Sequence, residues 1–191
     1  MSNTSSKSNT RRLAEGGICI ALALVLSYIK IPIGLSFGGF GGSINLVMIP
    51  LILCAMRWGL GWGLGSGLVF GTLKFFFAEG FAINWASMLL DYSIAYMFVG
   101  FAGLFRRKGN LTWLAALVGC FARFLIHFIS GVTIYAEYVS PIFGWNGTSP
   151  VIYSILYNGS YMLPNTVLAV VICALLQFPL KKYLDGKDLA K

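Results

Sequence analysis

Charge is scarce in this 191-residue chain: 10% of its residues are Asp, Glu, Lys or Arg, and only 6 of those are acidic. A soluble domain carries about 25% charged residues. Here 58% of the residues are hydrophobic and the mean hydropathy is +0.79. A sphere of this size cannot hide that much apolar surface. The composition excludes a cytosolic enzyme, a nucleic-acid module and a disordered chain, and it implies an integral membrane protein. The net charge of +8 then reads as topology, because basic residues gather at the cytoplasmic ends of spans.

Other absences narrow the chemistry. The four cysteines, Cys19, Cys54, Cys120 and Cys173, lie inside apolar runs without C-x-x-C spacing. They read as small buried hydrophobes, not as disulfides or zinc ligands, so no metal and no cofactor is expected. No G-x-x-x-x-G-K-[ST] occurs, so the chain does not hydrolyse ATP by that route. No internal repeat is present. Residues 1–12 are polar and are expected to form a disordered cytoplasmic tail. The apolar run behind them lacks an A-x-A-like cleavage site, so it is expected to stay as a first span.

A spanning helix needs about 20 apolar residues, and the punctuation suggests six, over 13–31, 44–56, 59–78, 82–105, 111–137 and 151–180. The second is short for a full span, and Pro164 is expected to kink the sixth. The glycines of the third are expected to serve internal packing. With six spans, eleven of the 14 Lys and Arg residues fall on one side, including the Arg106-Arg107-Lys108 turn. That bias places both termini in the cytoplasm. The expected fold is all-α: a substrate-binding membrane domain over 13–180 and a cytoplasmic tail over 181–191.

Ionisable residues inside spans are costly and mark functional sites by default. Asp91, Arg123 and His127 qualify. From the outer helix ends, at 1.5 Å per residue, Asp91 lies about 13 Å deep, His127 about 15 Å and Asn158 about 10 Å. Tyr92 follows the acid, Tyr135 lies above His127, and Tyr153 and Tyr157 precede Asn158. A carboxylate among aromatics suits a flat, cationic, hydrogen-bonding ligand, each ring face adding about 0.5–2 kcal/mol of cation–π attraction. The plainer reading is that Asp91 pairs with Arg123 and His127 caps a backbone carbonyl. On the first helix, Gly17 and Ala21, with Gly16 and Ala14 beside them, make a small-x-x-x-small face. Spacing alone leaves open whether that face receives a partner or this protein's own helices.

The segments GGSINLVMIPLILCAMRWG (41–59), LLDYSIAYMFVGFAGLFRR (89–107), RFLIHFISGVTIYAEY (123–138) and SPVIYSILYNGSYMLPN (149–165) resemble the thiamine-specific S components of energy-coupling factor (ECF) transporters, the ThiT type. The resemblance implies a six-helix protein of the cell membrane that binds thiamine with high affinity from outside. It also implies delivery by toppling in the bilayer, driven by a separate module of one transmembrane T component and two ATPases. By position, Asp91 corresponds to the acid that faces the thiazolium ring, where many relatives have Glu. Tyr92, His127, Tyr153 and Asn158 match pocket positions, and Tyr135 stands where a Trp can stack on the ligand. A second stacking Trp has no clear match, with Phe37 or Phe40 as substitutes. The Gly17/Ala21 pair falls where the family docks its transmembrane partner.

Three other readings compete. An S component for another small vitamin would differ only in the pocket. A six-span intramembrane hydrolase would use Ser66 and His127, but Leu64 stands where a G-x-S-G nucleophile wants its first Gly. A stand-alone secondary transporter would show inverted repeats and paired broken helices, and neither is seen in the sequence.

Overall fold

The computed structural model describes residues 2–33, 41–78, 80–139 and 149–189, with side chains from residue 9 onward. It is a six-helix membrane bundle, as the sequence predicts. The first helix is α1, Ser2–Leu26, followed by a two-residue antiparallel hairpin of β1, Ile31–Pro32, and β2, Ser43–Ile44. Helices α2, Met48–Trp58, and α3, Leu60–Phe77, come next. The fourth rod, Trp85–Phe105, is composite: α4 (Trp85–Met88), a π-helical segment (Leu89–Ile94), α5 (Ala95–Val99) and a 3-10 segment (Gly100–Phe105). Helices α6, Thr112–Thr133, and α7, Pro150–Leu184, complete the bundle.

Among the described residues, four rods are long and apolar enough to cross a membrane on their own: α3, the fourth rod, α6 and α7. Helix α2 is not, because its 11 residues rise about 16 Å against a hydrocarbon core of about 30 Å. It is buried almost end to end, with Ile52, Ala55 and Met56 fully covered. A short helix wrapped by its neighbours need not reach both bilayer faces.

Glycine sets the distance between α3 and the fourth rod. Gly63, Gly67 and Gly71 fall one turn apart along a single face of α3. A Cβ at Gly67 would fall on the Tyr96 carbonyl, and one at Gly71 on the Tyr92 carbonyl. The two backbones touch because no side chain separates them. The internal role expected of the α3 glycines is met at Gly63, Gly67 and Gly71, whereas Gly61 and Gly65 have open space around them.

Several boundaries move. Helix α1 begins at Ser2, inside the segment expected to be a disordered tail, and its Arg11 pairs with Glu15 one turn on at 2.7 Å and with Asp188. Helix α6 stops at Thr133, not at 137, because the N–H groups of Ile134 and Tyr135 both turn back to the Ser130 carbonyl. Helix α7 continues through Pro164 to Leu184 as one helix of 35 residues. Around the proline, the Asn165 and Thr166 side chains donate to the Tyr161 and Met162 carbonyls at 2.8 and 2.7 Å. Such side-chain bonds let membrane helices tolerate proline.

The C-terminal segment is docked against the bundle. Arg57, at the end of α2, has a fully buried side chain. It grips Asp188 with two bonds of 2.6 and 2.7 Å and reaches Glu15 of α1 at 3.2 Å. Trp58 and Tyr183 also donate to Glu15, at 3.1 and 2.7 Å. The ring of Tyr183 lies 4.0 Å beneath the guanidinium. This clamp joins α1, α2 and the end of α7 at one end of the bundle. A cavity opens at the other.

Candidate functional site

The cavity occupies about 510 Å³ between the fourth rod, α6, α7 and the hairpin, within the range usual for small-molecule sites. Its wall on α7 is a tyrosine ladder at one-turn spacing. Tyr153 and Tyr157 stack nearly parallel, with centroids 5.8 Å apart and planes at 7°. Tyr157 meets Tyr161 edge-on at 5.8 Å and 72°. The hairpin closes the mouth against this ladder, with Tyr157 donating to the Gly41 carbonyl. Gly42 has φ +97°, and a Cβ there would lie 2.6 Å from the Tyr161 ring. Only glycine fits on both counts. Asn165 anchors the hairpin base to α7: it accepts from the Asn45 N–H at 2.9 Å and donates to the Ser43 carbonyl at 2.8 Å.

The polar floor is a chain of three groups. Arg123 Nε donates to His127 Nε2 at 3.2 Å, and His127 Nδ1 faces Asp91 Oδ1 at 3.2 Å. The Arg123 guanidinium lies 4.1 Å over the Tyr96 ring. Asp91 thus meets Arg123 through the imidazole between them, where the plainer reading expected a direct pair. Asn158 caps the α6 backbone: its amide donates to the His127 carbonyl at 3.2 Å, and its oxygen accepts from Tyr161 at 2.6 Å. The backbone capping expected of His127 is performed by Asn158.

Asp91 lies in the π-helical segment. Asp91 and Tyr92, adjacent in this segment, both line the cavity. π-Bulges occur often at functional sites. Tyr92 accepts from the Phe81 N–H at 2.7 Å and packs on Phe75. Tyr135 sits in the turn after α6, not on the fifth helix, and its hydroxyl interacts with Ser87 and Asp91.

All six residues singled out in the sequence, Asp91, Tyr92, His127, Tyr135, Tyr153 and Asn158, line this one cavity. Phe37 and Phe40 lie outside the described residues. Sequence reasoning passed over Lys74, Tyr96 and Tyr161. Lys74 is 91% buried, its residual exposure being 9%, and it shares the cavity with Lys30 and Arg123. Tyr161 was legible as the next rung after Tyr153 and Tyr157. Arg123 Nη1, Tyr96 Oη and Ser130 Oγ are buried with no hydrogen-bond partner. Among the described residues, Asp91 is the one carboxylate facing three cations and the tyrosine ladder.

Ser66 does not approach His127. It contacts Cys54 Sγ at 3.5 Å and lines a separate apolar groove between α1 and α3, with Gly16, Gly17, Gly61 and Gly65. No nucleophile–base pair forms, and the hydrolase reading loses its geometry. Gly16 faces inward, 3.8 Å from Ser66 for an added Cβ, while Gly17 and Ala21 are exposed.

Residues 13–184 match the family model described as Thiamine transporter protein (Thia_YuaJ). The Thiamine transporter ThiT of Bacillus subtilis is 32% identical over 183 residues, covering 86% of this chain and 89% of that protein. The Thiamine transporter ThiT of Lacticaseibacillus paracasei is 30% identical over 192 residues, with 92% and 91% covered. A solved structure of ThiT from Listeria monocytogenes superposes with a TM-score of 0.79 at 26% identity, covering 93% of this chain and 98% of that one.

Proposed function

The chain belongs to the thiamine transporter protein family, whose members are transporters and not enzymes, and we propose that it binds thiamine as the S component of an ECF-type uptake system in the cell membrane. The observation that carries this reading is Asp91: a carboxylate inside a membrane bundle, at the floor of a cavity walled by tyrosines. Thiamine pairs a fixed thiazolium charge with a flat aminopyrimidine. The acid answers the charge, and the ring faces answer both heterocycles.

In this assignment Asp91 faces the thiazolium, while Tyr92, Tyr135 and Tyr153 supply aromatic walls. His127 and Asn158 hold the floor. The binding domain spans residues 13–180, and both termini face the cytoplasm. Uptake against a concentration gradient requires energy, and the chain carries no P-loop. The energy comes from a separate module of one T component and two ATPases. Gly17 and Ala21, exposed on α1 beside the apolar groove, let a partner helix approach closely. The test is calorimetric titration of the detergent-purified protein with thiamine, riboflavin and biotin. Selective binding of thiamine is expected, and binding of riboflavin or biotin in its place would overturn the assignment.

A further inference from the structure

His127 is the one histidine of the chain, and both of its ring nitrogens are engaged. Arginine has N–H donors and no acceptor. The Nε2 atom that receives Arg123 Nε at 3.2 Å therefore presents its lone pair. A neutral imidazole with its lone pair on Nε2 carries its proton on Nδ1. Nδ1 is the atom facing Asp91. The bonds run in one direction, from guanidinium to imidazole to carboxylate.

We propose that Arg123 is a positioning residue that acts through His127, occupying Nε2 so that the imidazole stays neutral with its proton on Nδ1 and Asp91 stays a carboxylate open to a cationic ligand. The ligand half of this inference rests on the proposed thiamine binding; the tautomer half concerns the free protein. If Nε2 were vacant it could take a proton. An imidazolium at 3.2 Å would then pair with Asp91 and compete with the ligand for the same charge. The charged and titratable groups that line the cavity with His127 are Arg123 on α6, Asp91, Tyr92 and Tyr96 on the fourth rod, Tyr135 and Tyr138 after α6, Tyr153, Tyr157 and Tyr161 on α7, Lys74 on α3 and Lys30 before the hairpin. Of these residue types, only histidine ordinarily changes charge between about pH 5 and 8.

The chain's single histidine makes the test direct. Protein labelled with 15N-histidine and held in detergent micelles gives two ring-nitrogen shifts that belong to His127 alone. The parent is expected to show the Nδ1–H tautomer, unchanged from about pH 8 to 5.5. Its thiamine affinity by calorimetry should change less than about twofold over that range. In Arg123→Met, affinity should fall at least tenfold, about 1.4 kcal/mol, as the pH drops across the same range. The shifts should become those of an imidazolium in step. Arg123→Lys, which keeps a cationic donor, should restore the flat profile. An Nε2–H tautomer in the parent overturns the inference, and this measurement decides even where Arg123→Met fails to fold. An Arg123→Met variant with the parent's pH profile, or one equally weak at every pH, overturns it as well. A parent with the Nδ1–H tautomer that binds no thiamine refutes the ligand assignment and leaves Arg123's hold on His127 standing.

Discussion

Replacing Asp91 with Asn removes one charge and almost no volume, so it isolates the electrostatic part of the proposed site. Two unit charges about 4 Å apart interact by about 4 kcal/mol at an effective dielectric of about 20. Part of that is offset in the parent, because Asp91 Oδ1 already bonds His127 and the carboxylate gives up solvent to meet the ligand. A net loss of at least about 1.4 kcal/mol, or tenfold in affinity, is the floor. The surroundings push the effect above it. Lys74 and Arg123 line the same cavity, so without Asp91 a thiazolium enters a field of like charge. The thiazolium cannot shed its charge by deprotonation, and lowering or raising the pH will not rescue the variant. Calorimetry of Asp91→Asn and Asp91→Glu at low and high salt provides the assay. Asn should lose at least tenfold at either ionic strength, since a buried pair is screened little, and Glu should recover most of the loss. An Asn variant that binds as tightly as the parent would return Asp91 to a purely structural part beside His127.

The remaining expectations concern the wall, the scaffold and the partner face. Tyr135→Ala should weaken thiamine binding, whereas Tyr135→Trp should hold or improve it; equal affinity for Ala and parent would make Tyr135 a membrane-interface anchor. Gly71→Ala should destabilise the protein by about 1–3 kcal/mol, because its Cβ falls on the Tyr92 carbonyl. Thermal unfolding in detergent reads this directly, and an unchanged midpoint would refute the backbone contact between α3 and the fourth rod. Gly17→Trp combined with Ala21→Trp should leave thiamine binding intact while abolishing uptake and co-purification with an ATPase module. Uptake at the parental rate would remove α1 as the docking surface, and lost binding would show that this face packs inside the bundle.

The long apolar helices were legible because composition and length alone specify a span, and the site was legible because polar residues are rare enough in this chain to stand out. Asp91, His127 and Asn158 were found by depth below the outer surface, and three separate helices bring them together. What escaped notice depends on backbone detail. No periodicity distinguishes the π-helical turn at Leu89–Ile94 from the α-helix around it, yet that turn presents Asp91 and Tyr92 to one space. Tyr135 was placed on a helix because its neighbours are apolar; the two N–H hydrogen bonds to the Ser130 carbonyl that end α6 have no sequence signature. Lys74 did not stand out as a cavity residue because a lysine near a helix end ordinarily snorkels outward, and here the cavity lies inward. The docking of Asp188 on Arg57 joins residues 131 positions apart, a pairing that charge counting cannot reveal.

The two regions with proposed roles lie at opposite ends of one stiff body, and that arrangement limits how they can communicate. Helix α1 carries the Gly17/Ala21 face and is pinned at Glu15 to Arg57, and through Arg57 to the C-terminal segment. Helix α2, buried almost end to end, runs from that clamp toward the hairpin that closes the cavity. Helix α3 meets the fourth rod backbone to backbone at its glycines, so neither can slide without carbonyls and Cα atoms colliding. A force applied to α1 therefore acts on the body as a whole more readily than on any single helix. The hairpin is the lighter element: two residues per strand, tied to α7 by Asn165 and by Tyr157. Under the proposed function, a partner's work on α1 would therefore be carried by the bundle as a whole.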